Sequence, residues 1–297
     1  MEQRLKFKSL GEIGTIYPKK EKLVKMGVLL QLYFNYSRLN KRSFRTDCVM
    51  LGIVKEFFGD INTTNVTPHK LEEFKDYLFN QRKVKHSTIN RYKALLSKMF
   101  NLGIANGLIK YNPAKDMKRL REDNFKIRFL TKVEENSLYS SLEKSPKYLK
   151  DIVTTALQTG MRKGEILNLK WSNIDFEFGF IELLETKSGK SRKIPISSKL
   201  LNVLNSIPKT CEYVFNIEGE KIGDIKKCWN TAIRNSGIKN FRFHDLRHTV
   251  ATRLVEKGVE LTVVKEILGH ADISTTMRYA HAVPERKKYA INILNSY

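Results

Sequence analysis

Apolar residues recur at helical spacing from about Lys22 onward. Leu29, Leu32, Tyr33 and Tyr36 mark one stripe, and Val49, Met50, Ile53, Val54 and Phe57 mark a second. Thr67-Pro68 reads as a helix start, with Thr67 as cap and Pro68 at the position where a missing N–H costs nothing. Leu71, Phe74 and Leu78 follow on one face. A further helix over about 87–104 carries Ile89, Tyr92, Leu95, Leu96, Met99 and Phe100 as its apolar stripe. Its opposite face shows Thr88, Asn90, Arg91, Lys93 and Lys98. That face suits phosphate and base contacts, and an ordinary solvated surface would look the same.

Asn112-Pro113 closes this block of four helices, and the charged stretch 115–125 reads as a linker. Residues 1–21 are polar and basic, without a sustained period, and read as a flexible lead-in. The pattern therefore predicts a helical domain over 22–114 and a second domain over 126–297. The second opens on Thr131-Lys132-Val133-Glu134, a capping box, and another helix starts at Ser145-Pro146. Between Trp171 and Ser197 the period shortens to two, around Lys187-Ser188-Gly189-Lys190. A small antiparallel sheet with a hairpin turn near Gly189 is expected. Helices return to the end, so the fold class is mainly α with a small antiparallel β-sheet (α+β).

Composition narrows the function. The 297 residues hold 54 Lys+Arg against 31 Asp+Glu, a formal charge of +23, with the excess on both sides of residue 125. A hydrophobic share of 41% is too high for a disordered basic tail. A folded chain this positive repels itself, and a polyanion relieves that cost by releasing counterions, which points to nucleic acid. No run approaches the roughly 20 apolar residues of a membrane span. The start, Met1-Glu2-Gln3-Arg4, is not that of a signal peptide. Cys48, Cys211 and Cys228 match neither a disulfide framework nor a zinc spacing. A soluble, cytoplasmic protein without membrane contact is expected.

Four segments of the second domain concentrate chemistry. Arg162 stands at a helix start with Glu165 one turn on, and His244 and Arg247 sit at i, i+3. His270 follows the helix-stopping Gly269, and Tyr279 lies nine residues later. Singly, each has a structural explanation: Arg162 can pair with Glu165, His270 can cap its helix, and Tyr279 can be a packing residue.

Together, "TGMRKGEILNLKW", "ETKSGKSRKIPIS", "FHDLRHTVATRLVEKG" and "LGHADISTTMRYAHAVPERK", in this order, resemble the tyrosine recombinase or phage integrase family. Both its Xer-like and its mobile-element branches fit. "HSTINRY" and "GLIKYNPA" more loosely resemble the family's core-binding domain. The resemblance implies a site-specific recombinase in which Tyr279 attacks a DNA phosphodiester, giving a 3′-phosphotyrosine and a free 5′-hydroxyl. It implies Arg162 and Arg247 on the non-bridging oxygens and Lys187 as general acid. His244 and His270 would assist by hydrogen bonding and proton transfer, and Glu165 would orient the set. Lys190 is close enough in sequence to compete with Lys187 for the acid role. The partner would be double-stranded DNA, bound by a homotetramer on two sites. The C-terminal segment, with Ala290, Ile291 and Leu294, would dock on a neighbouring subunit or back on its own domain.

Elementary chemistry agrees with that division of labour. Attack on a phosphodiester builds charge on the equatorial oxygens, and fixed guanidiniums can hold it with no metal or other cofactor. The ester to tyrosine conserves the energy of the broken bond, so resealing needs no ATP. Three rivals stand beside this reading. They are a DNA-binding protein that cuts nothing, a metal-dependent nuclease using Asp175 and Glu177, and a type IB topoisomerase.

Overall fold

The computed structural model describes residues 23–122, 127–183, 191–280, 291–292 and 295. The chain divides into two compact units, Met1–Asn124 and Phe125–Tyr297. Lys187, Lys190, the turn around Gly189, the lead-in and most of the segment after Ala280 lie outside the described residues.

The first unit contains α1 (Met26–Asn40), α2 (Phe44–Phe58), α3 (Pro68–Asp76, continued by a π-helical turn, Tyr77–Gln81) and α4 (His86–Ala105). The stripes read from the sequence face inward except at Val49, which is exposed. Leu29, Tyr33, Phe74, Leu96, Met99 and Phe100 are fully buried, and Phe57, Phe58, Phe74, Tyr77 and Tyr92 form an aromatic cluster. Thr67 caps α3 by accepting from the Lys70 N–H. The buried Asp47 carboxylate is satisfied by Ser37 Oγ at 2.7 Å, Tyr33 OH at 3.0 Å and Lys41 Nζ at 3.0 Å, as a buried charge requires.

One flank of α4 departs from the expectation. Asn90 is buried. Its Nδ2 donates to Leu120 O at 2.9 Å and to Glu122 Oε1 at 2.6 Å, and its Oδ1 accepts from Leu120 N at 2.9 Å. Further along the same flank, Asn112 Nδ2 donates to Ser97 O and to Asn101 Oδ1. Residues 90, 97 and 101 stand at i, i+7 and i+11, so the returning chain lies along one side of the helix. Residues 115–122, expected to be linker, are therefore held on the first unit, where Met117 is buried and Leu120 packs on the core.

The second unit is mostly helical too: α5 (Lys132–Leu142), α6 (Lys147–Thr159), α7 (Lys163–Leu167), α8 (Ser198–Asn205), α9 (Lys226–Ser236), α10 (Asp245–Glu256), α11 (Leu261–Leu268) and α12 (Ser274–Ala280). The Thr131–Glu134 capping box opens α5. α6 is buried over most of its surface, with Leu149, Ile152, Val153, Ala156 and Leu157 inside. Its Thr154, Thr155 and Thr159 hydroxyls donate to carbonyls one turn back, so no polar group is stranded. β1 (Ile174–Asp175), β2 (Phe180–Leu183) and β3 (Arg192–Pro195) form an antiparallel sheet in that order. Ile181 opposes Ile194 and Leu183 opposes Arg192. A second antiparallel pair among the described residues is β4 (Asn216–Ile217) with β5 (Glu220–Lys221). A mainly α fold with small antiparallel sheets is what the periodicity indicates.

Candidate active site

The C-terminal end of α6 sets up the site. Gly160 adopts φ +64°, and a Cβ there would lie 2.6 Å from Leu268 Cδ2, so this turn packs directly on α11. The chain then delivers Arg162 to the N-terminus of α7. Glu165 accepts from the Arg162 backbone N–H at 2.8 Å and from its Nη1 at 2.7 Å. Arg162 Nη2 donates to Gly269 O at 3.0 Å, tying α7 to the end of α11.

α10 supplies a second group. Asp245 holds its first turn through the Arg242 N–H at 2.7 Å, and Thr249 accepts from Leu130 N at 3.0 Å, fixing the helix against the chain entering the unit. His244, Arg247 and His248 project from this turn. Arg247 is only 2% exposed. Its Nη1 donates to Gly160 O at 2.8 Å, while its Nη2 is buried without a hydrogen-bond partner among the described residues. Burial and the nearby Arg162 guanidinium lower the Arg247 pKa to about 9.

His270 follows Gly269, and its Nδ1 lies 2.8 Å from Thr276 Oγ1. Tyr279, on α12, is 3% exposed and packs with Ala251, Val255, Val264 and Leu268. Its ring is nearly parallel to that of His270, 8° between planes with centroids 6.4 Å apart. Burial raises the Tyr279 pKa, and the Arg247 and Arg278 charges pull it back. Burial lowers His270 to about 3, helped by Arg247 and Arg162, and lowers His248 to about 4, helped by His244. Burial and Arg247 lower His244 also. The result is a pocket of charged guanidiniums and neutral imidazoles, suited to receiving an anion.

Arg162, Glu165, His244, Arg247, His270 and Tyr279 therefore come together, and Lys187 lies outside the described residues. Two further residues belong to the cluster and were not singled out by sequence. Arg192 on β3 donates to Glu165 with both Nη atoms and to Ile267 O with Nε at 3.1 Å. His248 Nδ1 lies 2.7 Å from the Tyr279 hydroxyl. Signals for both existed: Arg192 stands two residues before the buried Ile194 on a strand, and His248 one helical turn after His244.

In the first unit, Arg91 is exposed and Thr88 and Lys93 are half-buried on α4, while Asn90 is committed to the 120–122 segment and is no free DNA contact. Asp175, the nuclease rival's carboxylate, accepts from the Glu177 and Phe178 N–H groups and shapes the β1–β2 turn. Among the described residues, no three or more His, Cys, Asp or Glu side chains are grouped to hold a metal ion. No described helix is long and apolar enough to cross a membrane.

The sequence matches the phage integrase family over residues 128–286, more than half of the chain. The chain belongs to the phage integrase family. Residues 31–127 match the phage integrase SAM-like domain. A tyrosine recombinase of Pseudothermotoga lettingae is 29% identical over 288 residues, covering 90% of this chain and 98% of its own. Tyrosine recombinase XerA of Pyrococcus horikoshii is 31% identical, covering 74% and 92%. A shufflon-specific DNA recombinase of Escherichia coli is 32% identical, covering 66% of this chain but only 51% of its own length. Among solved structures, a Tn1549 transposon integrase in complex with transposon right end DNA superposes with TM-score 0.77 at 21% identity, covering 90% and 99%. A lambda integrase dimer bound to a core site superposes with TM-score 0.73 at 21% identity, covering 85% and 97%. At that identity these two speak for the fold. As a phage integrase family member, the chain is a DNA strand-transfer enzyme of the site-specific recombination class.

Proposed function

We propose that the residues gathered around Tyr279 carry out that recombination by transient covalent attachment to DNA. Tyr279 Oη forms a bond to the scissile phosphorus while the P–O5′ bond breaks, leaving a 3′-phosphotyrosine. Arg162 and Arg247 hold the non-bridging oxygens, and Glu165, backed by Arg192, fixes the Arg162 fork. His244 and His270 stay neutral beside these cations and serve as hydrogen-bond partners. Lys187 is the proton donor to the leaving oxygen. The reverse attack by a 5′-hydroxyl reseals the strand, with neither metal nor nucleotide.

The observation that carries this reading is the convergence of two guanidiniums on one pocket with Tyr279. One of them, Arg247, keeps a buried Nη2 unpaired among the described residues. A buried donor without a partner costs about 1–3 kcal/mol, and a phosphate oxygen would recover it. In the first unit, Arg91 and Lys93, with Thr88, are proposed to follow the DNA backbone. Assembly is proposed as a homotetramer on two DNA sites, acting in the cytoplasm, with the protein bacterial or phage-encoded.

The test uses a nicked suicide substrate that traps the covalent complex. Tyr279→Phe should abolish the adduct while leaving DNA binding within about twofold, and cleavage by the native protein should persist in EDTA. Adducts that survive Tyr279→Phe would remove Tyr279 as nucleophile, and loss of cleavage in EDTA would restore a metal mechanism.

A further inference from the structure

The proposed chemistry leaves one proton unassigned. A phenol that becomes a phosphate ester must lose its hydrogen, and a group has to stand within hydrogen-bond reach to take it. His248 Nδ1 is 2.7 Å from Tyr279 Oη. The other two imidazoles are placed differently. His270 lies parallel to the Tyr279 ring and spends its Nδ1 on Thr276. His244 meets His248 edge to face, with centroids 5.0 Å apart.

We propose that His248 accepts the Tyr279 phenolic proton as that oxygen attacks phosphorus. The inference rests on the reading of Tyr279 as nucleophile and adds a catalytic residue to it. In the tautomer with hydrogen on Nε2, Nδ1 accepts from the phenol, and the phenolic lone pairs are left for phosphorus. As the Oη–P bond forms, the O–H hydrogen passes to Nδ1. The P–O5′ bond breaks, and the departing oxygen is protonated by the cationic acid proposed above. On resealing, the 5′-hydroxyl attacks, the phenolic oxygen leaves, and it recovers its hydrogen from His248. Each cycle returns both groups to their starting protonation.

Local charge decides the timing. Burial and His244 keep the His248 imidazole neutral and weakly basic, while burial holds the phenol above its ordinary pKa. Proton transfer ahead of attack is therefore uphill, with Arg242 and Arg278 also opposing a second local cation. Transfer becomes favourable only as the oxygen gives up its basicity to phosphorus and the anionic phosphate offsets the arginines. The placement is rigid, because His248 is the neighbour of Arg247 on the first turns of α10. The helix that carries a proposed phosphate ligand thus carries the proton acceptor too.

The experiment measures adduct formation on the nicked suicide substrate with full-length protein, alongside DNA affinity and thermal unfolding. His248→Ala should slow adduct formation by about 10²-fold or more, the usual scale of lost general-base help. DNA binding should stay within about twofold. His248→Asn keeps an acceptor oxygen but cannot take a proton, and it should be as slow as His248→Ala. It also decides the matter should His248→Ala fail to fold. Replacing Tyr279 by a fluorinated, more acidic tyrosine should recover about tenfold or more in the His248→Ala background and change the native rate less. Native-like rates in either His248 variant, or a defect that fluorination leaves untouched, would overturn the proposal. Adducts lost in Tyr279→Phe but normal in His248→Ala would sink this inference alone and leave the nucleophile in place.

Discussion

Arg192 reaches from β3 to grip both carboxylate oxygens of Glu165, Nη2 to Oε2 at 2.7 Å and Nη1 to Oε1 at 3.2 Å. The side chains are 7% and 13% exposed, so the pair is shielded from screening. Burial opposes the Glu165 charge, but the bonds from Arg192 and Arg162 outweigh it and hold the carboxyl below its ordinary pKa. Glu165 in turn holds Arg162, and Arg192 passes so close to Gly269 that a Cβ there would sit 2.5 Å from Nη1. The sheet, the α7 turn and the end of α11 are thereby locked around one carboxylate.

Removing Arg192 should consequently do two things. Arg192→Ala leaves Glu165 buried with half its partners and should lower stability by about 3 kcal/mol, the scale for breaking one side of a buried pair. It should also loosen the Arg162 fork and slow adduct formation by at least tenfold. Arg192→Lys, which restores the charge but not the two-pronged grip, should recover more stability than activity. Urea midpoints and suicide-substrate kinetics on the same samples separate the effects; an Arg192→Ala protein with native kinetics would show that Arg162 needs no such support.

The clustered guanidiniums make a second claim. Burial and the Arg162 guanidinium depress the protonation of Arg247, and the Glu165 carboxylate beside them is already committed to Arg162 and Arg192. Orthovanadate, a phosphate-sized anion that accepts five ligands, should bind there and raise the melting temperature. The gain is about 2.7 kcal/mol at a hundred times its dissociation constant. Arg247→Ala should erase this upshift. Equal upshifts in the native and variant proteins would place the anion elsewhere on this basic surface.

Much of this was legible from the chain, for identifiable reasons. Thr67 and Thr131 announced their helices because a cap depends on residues three apart, and the α4 stripe was visible because one face meets the core. The catalytic cluster was legible through ordered motifs that resemble a family, since no local rule links Arg162 to Tyr279. Arg192 was harder to see. Alternation from Ile194 turns it inward, but burial of an arginine depends on a carboxylate 27 residues away. Asn90 lies on the buried flank of α4 because its partners, Leu120 and Glu122, belong to a segment whose charge alone reads as linker.

Asn90 now carries a prediction of its own. Its amide makes three bonds to the 120–122 segment, so Asn90→Ala strands backbone groups of Leu120 and should cost about 1–3 kcal/mol of first-unit stability. The salt dependence of DNA binding should stay unchanged. Arg91→Ala is the opposite case: exposed and cationic, its loss should leave stability within about 0.5 kcal/mol and reduce the salt slope by about one. A salt titration and a urea melt of each variant check the crossing, and a reduced slope in Asn90→Ala would return that amide to the DNA-binding face.

The neutral histidines tie stability to pH. In the unfolded chain His248 and His270 titrate near 6.5, whereas burial and neighbouring cations hold them near 4 and 3 when folded. Between those values the unfolded state binds protons that the folded state refuses, so acid favours unfolding. The contribution is therefore constant above about pH 6.5 and shrinks as pH falls toward 4 and then 3. Glu165, depressed by its arginines, adds a loss of the same sign at lower pH. Urea midpoints should be level from about pH 8 to 7 and drop between about pH 6 and 4.5 with little change in slope. His270→Gln, which keeps a polar group beside Thr276 but cannot titrate, should make that drop shallower. A native midpoint that does not move between pH 7 and 5 would mean these rings are protonated in the fold, and the neutral pocket around Tyr279 would have to be abandoned.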